Sequence, residues 1–361
     1  MRPSPSPASR AIGTLLVVAA CLTSALGCGR TGTTPTNERS AEGARLYRTY
    51  CGLCHGDRGE GYAADDANAL ANQDFLASVD DEFLRRAIRD GHPGTAMAAY
   101  GHRSGGPLDD RQIDVLVTFL RSFQERPSLD LPRTAIEGDA AAVRSVYEGE
   151  CAGCHGERGQ GVTALSLNNA VFHATASDAQ IRHAIAKGRR GTPMPAFEGR
   201  LQPAQLDGLV ALIRSFARGR AENRPQEAAI PDDLPLVTNP DGPKARFTLR
   251  EDRFVPALAV KRALEAGQRV VLLDARAPSD WLAMHIPGAV PCPYYAVEEL
   301  VARLPRDGTF IVAYCGCPHA ASGRVVDALR ERGFENTAVL DEGVLVWRDL
   351  GYPVEGESVG R

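Results

Sequence analysis

Two pentapeptides, Cys51-Gly-Leu-Cys-His55 and Cys151-Ala-Gly-Cys-His155, stand one hundred positions apart in this chain. Each is followed by a glycine-rich stretch that ends in a methionine, Met97 in the first copy and Met194 in the second. A bare Cys-x-x-Cys also serves as half of a zinc site or as a dithiol redox pair. Neither copy has a second such pair within its own repeat, so a four-sulfur zinc site would have to be shared between them. The adjoining histidine narrows the chemistry. Two thiols separated by two residues reach the two vinyl groups of one porphyrin, and the histidine meets one face of its iron. Two copies call for two covalently bound haem c groups.

The likeness between the copies extends well beyond the cysteines. Residues Leu46-Tyr47 through Gly61 align with Val146-Tyr147 through Gly161, Asn72 and Phe75 with Asn169 and Phe172, and Ala87-Ile88 with Ala184-Ile185. Phe119-Leu-Arg-Ser-Phe123 then aligns with Leu212-Ile-Arg-Ser-Phe216, while the first copy carries an insertion around residues 102–107. These are tandem domains of one type. The stretch Gly188-Arg-Arg-Gly-Thr-Pro-Met-Pro-Ala-Phe197 resembles the methionine-bearing loop of class I cytochromes c, and Gly91 to Tyr100 resembles it with Ala98 in place of the usual proline. The resemblance implies two all-α cytochrome c domains, at residues 41–126 and 138–218. It also implies Met97 and Met194 as sixth ligands opposite His55 and His155. His92 and His102 flank the first methionine, and His173 and His183 precede the second, so these are the alternative ligands. Methionine ligation raises the reduction potential and fills the coordination sphere, which suits electron transfer rather than substrate activation.

Apolar spacing predicts helices over about 41–50, 80–89, 109–123 and 203–216. Domains this small bury little apolar surface of their own, so haem is expected to supply much of each core.

The N-terminus places the chain. Arg2 and Arg10 precede an apolar run, Ala11 to Ala20 and Leu22 to Leu26, after which the sequence turns polar. Ser24-Ala-Leu-Gly-Cys28 resembles a bacterial lipobox and implies a signal over 1–27, lipidation of Cys28 and a flexible linker over 28–40. Val18-Ala-Ala-Cys21 is a second lipobox-like run, and an ordinary cleaved signal or an uncleaved anchor are the other readings. Each exports the haem domains, to the periplasmic side of a bacterial membrane. A net charge of -4 over 361 residues argues against nucleic acid as a partner and against strong steering to a membrane.

A segment over 219–245, rich in Pro, Asp, Glu and Asn, reads as a linker to a third unit at 246–356. Here short apolar strands, 269–274 and 309–314, alternate with helices over 255–266 and 322–332, a pattern that predicts an α/β domain with a parallel sheet. Asp274-Ala-Arg276, Asp280-Trp-Leu-Ala-Met-His-Ile-Pro-Gly-Ala289, a loop opening with Cys315, and Gly343-Val-Leu-Val-Trp347 resemble the rhodanese family. The resemblance implies a persulfide-carrying Cys315 in a nest of backbone N–H groups, or an inert fold used for binding. The loop Cys315-Gly-Cys-Pro-His-Ala-Ala-Ser322 has Pro318 and Ala320 where active members carry glycine and arginine, and Met284 and Glu342 replace glycines. Cys317 can pair with Cys315, share its persulfide or bind a metal with His319, the one nearby group able to replace the lost cation. A buried Cys292 would be inert.

The leading expectation is an exported, lipid-anchored electron carrier that meets redox partner proteins and whose third domain binds a small sulfur compound or docks a partner. The alternatives are a sulfurtransferase or sulfur-oxidising enzyme acting at Cys315 with the haems as electron outlet, and an inert scaffold.

Overall fold

The computed structural model describes residues 35–64, 66–217, 230–231, 233–316 and 320–357. The expectations for the signal, Cys28, Cys317 and His319 lie outside these described residues.

The first repeat consists of α1 (Pro35–Tyr50), α2 (Gly52–His55), α3 (Gln73–Ser78), α4 (Asp81–Asp90) and α5 (Asp110–Arg121). α1 starts at Pro35, inside the segment 28–40 that composition suggests is a linker. Side-chain caps fix the other starts: Asn72 accepts from Phe75 N at 3.0 Å, Asp80 from Phe83 N at 2.8 Å, and Asp109 forms a reciprocal box with Gln112. α1 and α5 cross closely at Gly43, where a Cβ would lie 2.7 Å from Phe119 Cβ. Leu46, Tyr47, Ile113 and Leu116 fill the space between them. The insertion after Tyr100 forms a single 3-10 turn at His102–Ser104, closed by pairing of Gly101 with Leu108.

The second repeat copies this plan in α6 (Arg144–Glu150), α7 (Ala152–His155), α8 (Ala170–Thr175), α9 (Asp178–Lys187) and α10 (Pro203–Ser215). Arg121 and Arg214, equivalent by sequence, do equivalent work. Arg121 donates to the carbonyls of Leu76 and Val79 and to Asp81, and Arg214 to the carbonyls of His173 and Ala176 and to Asp178. Each guanidinium thus supplies the donors that the end of the short helix lacks.

The third unit is a five-stranded, all-parallel sheet in the order β1-β5-β4-β2-β3. Its elements are β1 (Phe254–Val255), α11 (Ala257–Glu265), β2 (Val270–Asp274), α12 (Pro278–Ala283), β3 (Val290–Pro291), α13 (Glu298–Val301), β4 (Phe310–Tyr314), α14 (Ala320–Glu331), β5 (Thr337–Leu340) and α15 (Gly343–Asp349). Alternate residues of β2 and β4 face opposite cores. Val270, Leu272, Val312 and Tyr314 meet α11 and α15, whereas Val271, Leu273, Ile311 and Ala313 meet α13 and α14. This unit begins earlier than residue 246. Leu234, Leu236, Val237 and Ala245 pack on its cores, and Thr238 and Lys244 pair with Val270 and Arg269. The prolines and acids of that stretch masked the apolar residues between them.

Candidate functional site

Both Cys-x-x-Cys-His motifs form one helical turn at the end of a longer helix. In α2 the N–H groups of Cys54 and His55 donate to Cys51 O, and in α7 those of Cys154 and His155 donate to Cys151 O. The pairs Cys51/Cys54 and Cys151/Cys154 therefore each occupy one face of a turn. A glycine at positive φ ends each turn: Gly56 at 80° and Gly156 at 83°, where a Cβ would come within 2.4 Å of the side chains of Glu60 and Gln160. The Tyr47 hydroxyl donates to Gly56 O at 2.7 Å and that of Tyr147 to Gly156 O at 2.8 Å, fixing the turn to the preceding helix.

The histidines are oriented by backbone. His55 Nδ1 lies 2.8 Å from Asn68 O, and His155 Nδ1 lies 2.9 Å from Leu165 O. A carbonyl only accepts, so Nδ1 carries the proton in each ring and Nε2 presents its lone pair. Burial holds both imidazoles below the ordinary histidine pKa, which keeps them neutral. Burial also pushes the Cys51 thiol up to about 12 and the Cys151 thiol up to about 11. Two thiols and one neutral imidazole per turn fit haem c: Cys51, Cys54 and His55 would hold one group, and Cys151, Cys154 and His155 another.

The two methionine loops share one set of hydrogen bonds. The N–H of His92 donates to Met97 O at 2.8 Å and that of Arg189 to Met194 O at 3.0 Å. Thr95 and Thr192 donate to the carbonyls of His92 and Arg189, each at 2.7 Å, and accept from the methionine N–H at 3.2 Å. Ala98 for proline leaves this turn intact. Among the other histidines, His92 Nδ1 lies 3.2 Å from Asn169 Oδ1, His173 Nδ1 lies 3.4 Å from Arg214 Nη1, His102 is exposed and His183 is half-buried.

Asn72 and Asn169, which cap α3 and α8, also join the repeats. Asn72 Nδ2 donates to Arg190 O at 2.8 Å, and Asn169 Nδ2 donates to Pro93 O at 3.0 Å. Arg190 and Pro93 occupy the same place in their loops, so each repeat holds the methionine loop of the other. Sequence alignment matches these asparagines without revealing that role. Around this contact Asp74 accepts from Arg190 N at 2.9 Å, Nε at 3.1 Å and Nη2 at 2.7 Å. Arg189 Nη1 reaches Asp74 O and Ser78 Oγ at 2.8 and 3.1 Å, and Phe83 enters the cores of both repeats. Three neighbouring cations of the second methionine loop, Lys187, Arg189 and Arg190, thus find partners within the chain.

Cys315 follows β4 and is buried, its Sγ 3.2 Å from Ser322 Oγ in α14. The N-terminus of α15 grips the loop: the N–H groups of Val344 and Leu345 donate to Cys315 O at 2.9 Å and Gly316 O at 3.3 Å. Gly343 has φ 70°, and a Cβ there would stand 2.9 Å from both carbonyl oxygens. The departures from family glycines are accommodated. Met284 is extended, with φ −164°, and the Glu342 carboxylate turns to accept from Ala257 N at 2.7 Å. Arg276 is spent on structure, donating to both oxygens of buried Asp274 at 2.9 and 2.6 Å. Cys292 is buried in the sheet core, and burial pushes its thiol up to about 12.

The third unit rests on the first repeat, beside its methionine loop. A Cβ on Gly316 would contact Ala96 at 3.6 Å, Ser279 Oγ donates to Ala99 O at 2.6 Å, and the Tyr294 hydroxyl donates to Tyr50 O at 3.0 Å. Tyr50 also stacks edge-on against Tyr100 and Tyr295. No sequence signal pointed to this contact, because its residues are dispersed and are ordinary serine, alanine and tyrosine.

Comparison with known proteins agrees with these three units. The family model "Cytochrome C oxidase, cbb3-type, subunit III" matches residues 38–120 and 138–213, and the rhodanese-like domain model matches 257–350. The cbb3-type cytochrome c oxidase subunit FixP of Bradyrhizobium sp. is 28% identical over 190 residues, covering 50% of this chain and 62% of that protein. An HTH-type transcriptional regulator of Mycobacterium tuberculosis is 39% identical over 112 residues, 30% of this chain and 48% of that protein. The chain therefore spans less than two thirds of these relatives. A solution structure of a rhodanese-like domain from Anabaena sp. is 28% identical and covers 31% of this chain and 84% of its own, with a TM-score of 0.29. The duplicated pocket and the two sets of matches lead to one assignment: the chain is a tandem pair of cytochrome c domains joined to a C-terminal rhodanese-like domain.

Proposed function

We infer that this protein is an exported, lipid-anchored electron carrier with two haem c groups, whose rhodanese-like domain holds a small sulfur species at Cys315 or docks a redox partner protein. Haem c in each pocket supplies a centre that accepts and releases one electron. The chain does the rest. Cys51, Cys54, Cys151 and Cys154 fix the groups covalently, and the carbonyls of Asn68 and Leu165 aim the imidazoles of His55 and His155. Met97 and Met194 would also bind the irons, and their loops are held by matching hydrogen bonds. Cys28 takes the lipid, on the periplasmic side of the membrane.

The observation that carries the reading is the reciprocal hold of each methionine loop by the other repeat, through Asn72 and Asn169. Redox centres exchange electrons over short distances, and this contact keeps both loops at one interface. A pyridine haemochrome assay on the purified chain tests the stoichiometry. Two haems per chain are expected, one each in the Cys51→Ser/Cys54→Ser and Cys151→Ser/Cys154→Ser variants, and any other count refutes the assignment.

A second reading, an enzyme that oxidises sulfur at Cys315, is favoured by the packing of Gly316 on Ala96, next to Met97. Visible spectra of the oxidised protein with sulfide or thiosulfate decide between them. Haem reduction that vanishes in Cys315→Ser supports the enzyme, whereas equal reduction in both proteins leaves the carrier.

A further inference from the structure

The crevice between the rhodanese-like domain and the first cytochrome domain has no part in the function argued so far. It is lined by Arg45, Arg48 and Thr49 of α1, Tyr294 and Tyr295 after β3, and Arg324 of α14, and encloses about 310 Å³. We propose that this crevice binds a small divalent oxyanion, of the size and charge of sulfate, thiosulfate or hydrogen phosphate.

Three features argue for it. First, three arginines from two domains line one space, and no carboxylate stands with them among the described residues that line it. All three arginines are exposed, so water screens their mutual repulsion, and an anion held among them would add a net attraction. Second, the Tyr295 hydroxyl is buried without a hydrogen-bond partner. An unsatisfied buried hydroxyl is costly, and one at the wall of a basic crevice is a donor awaiting an acceptor. Third, the donors suit an oxyanion. Guanidinium forks match pairs of oxygens on a tetrahedral anion, and the Tyr295 hydroxyl adds a single bond, the Thr49 and Tyr294 hydroxyls being already spent on the carbonyls of Arg45 and Tyr50. The space, open to solvent on one side, admits such an ion with bridging water.

The geometry gives the ligand a consequence. Arg45 and Arg48 lie just before Tyr50 and Cys51, whereas Arg324 lies on the helix that follows the Cys315 loop. A bound oxyanion therefore bridges the two domains and stabilises their docked state by mass action. The inference concerns binding alone and stands whether or not Cys315 reacts.

The test uses the full haem-loaded chain, with thermal unfolding and titration calorimetry in sodium sulfate, sodium thiosulfate and sodium phosphate, each against sodium chloride at equal ionic strength. Saturable stabilisation by the divalent anions is expected. Affinity should fall roughly tenfold in Arg324→Gln and in Arg48→Gln, and measurably in Tyr295→Phe, as loss of charged or hydroxyl donors implies. Arg103→Gln, altered in the exposed turn after Tyr100, should bind as the parent does. Visible spectra matching the parent confirm that each variant keeps its haem pockets. Equal stabilisation by chloride, or undiminished binding by Arg324→Gln, overturns the site. So does arginine-dependent sedimentation with anionic phospholipid vesicles in the absence of free-anion binding, which would assign these arginines to headgroups.

Discussion

Replacing Asp74 with alanine should loosen the two cytochrome domains from one another while leaving each pocket folded. The carboxylate, only 11% exposed, accepts from Arg190 N, Nε and Nη2 and from Arg126 Nη1. The Arg190 side chain is 68% exposed, so solvent screens its ion pair, which contributes at most about 1 kcal/mol to docking, while Arg126 belongs to the same repeat as Asp74 and does not enter that equilibrium. The bond to the Arg190 N–H adds about 1 kcal/mol more, since that donor sits at the interface and loses its acceptor. The sum across the interface, about 1–2 kcal/mol, corresponds to a factor of roughly 5–30 in the docking equilibrium. Asp74→Asn keeps an acceptor for the N–H and should lose about half as much. Differential scanning calorimetry of the haem-loaded chain, with the Soret band followed in parallel, reads the effect. The parent repeats should unfold together, whereas Asp74→Ala should separate them into two transitions. A single unshifted transition in Asp74→Ala would refute the reasoning, as would an Asp74→Asn variant as impaired as the alanine.

Other perturbations probe other parts of the chain. Met97→Leu and Met194→Leu should each lower the potential of one haem and leave the other in place, read by spectroelectrochemistry; two unchanged potentials would remove both methionines as ligands. Gly343→Ala sets a Cβ 2.9 Å from the carbonyls of Cys315 and Gly316 at a backbone φ of 70°. It should destabilise the rhodanese-like domain by about 1–3 kcal/mol in urea denaturation, and a neutral result would mean that the loop yields easily. Burial, with repulsion from Asp274 and partial relief by Arg276, raises the Asp280 carboxyl from 3.8 to about 6. The folded domain then holds a proton that the unfolded chain releases, so this contribution is full below pH 4 and lost as pH rises through about 6. Asp280→Asn should flatten the stability profile over that window, and an unaltered slope would assign it to other groups.

Much of the plan was legible in the sequence because it rests on local chemistry. Cys-x-x-Cys-His needs only one helical turn to bring its three groups together, and the duplication disclosed two such turns. Strands β2 and β4 were legible because a strand covered on both faces must be apolar throughout. Boundaries were less so. The helix starting at Pro35 and the packing of Leu234, Leu236 and Val237 were hidden by prolines and charges that composition assigns to linkers. The departures at Met284 and Glu342 looked damaging in sequence. In space one is extended and the other caps the N-terminus of α11, because side-chain direction, not residue type, decides what a substitution costs.

The sequence by itself determined the identity of the three units and named the candidate haem-binding residues and the candidate nucleophile, since a Cys-x-x-Cys-His motif and strand periodicity are written in neighbouring residues. Only the tertiary structure decided how the units meet. Asn72 finds Arg190 across 118 positions and Asn169 finds Pro93 across 76, while Gly316 comes to rest on Ala96. Contacts of this kind depend on the shapes of finished surfaces and leave no periodic trace along the chain. Three arginines far apart in sequence become one crevice only after those surfaces close.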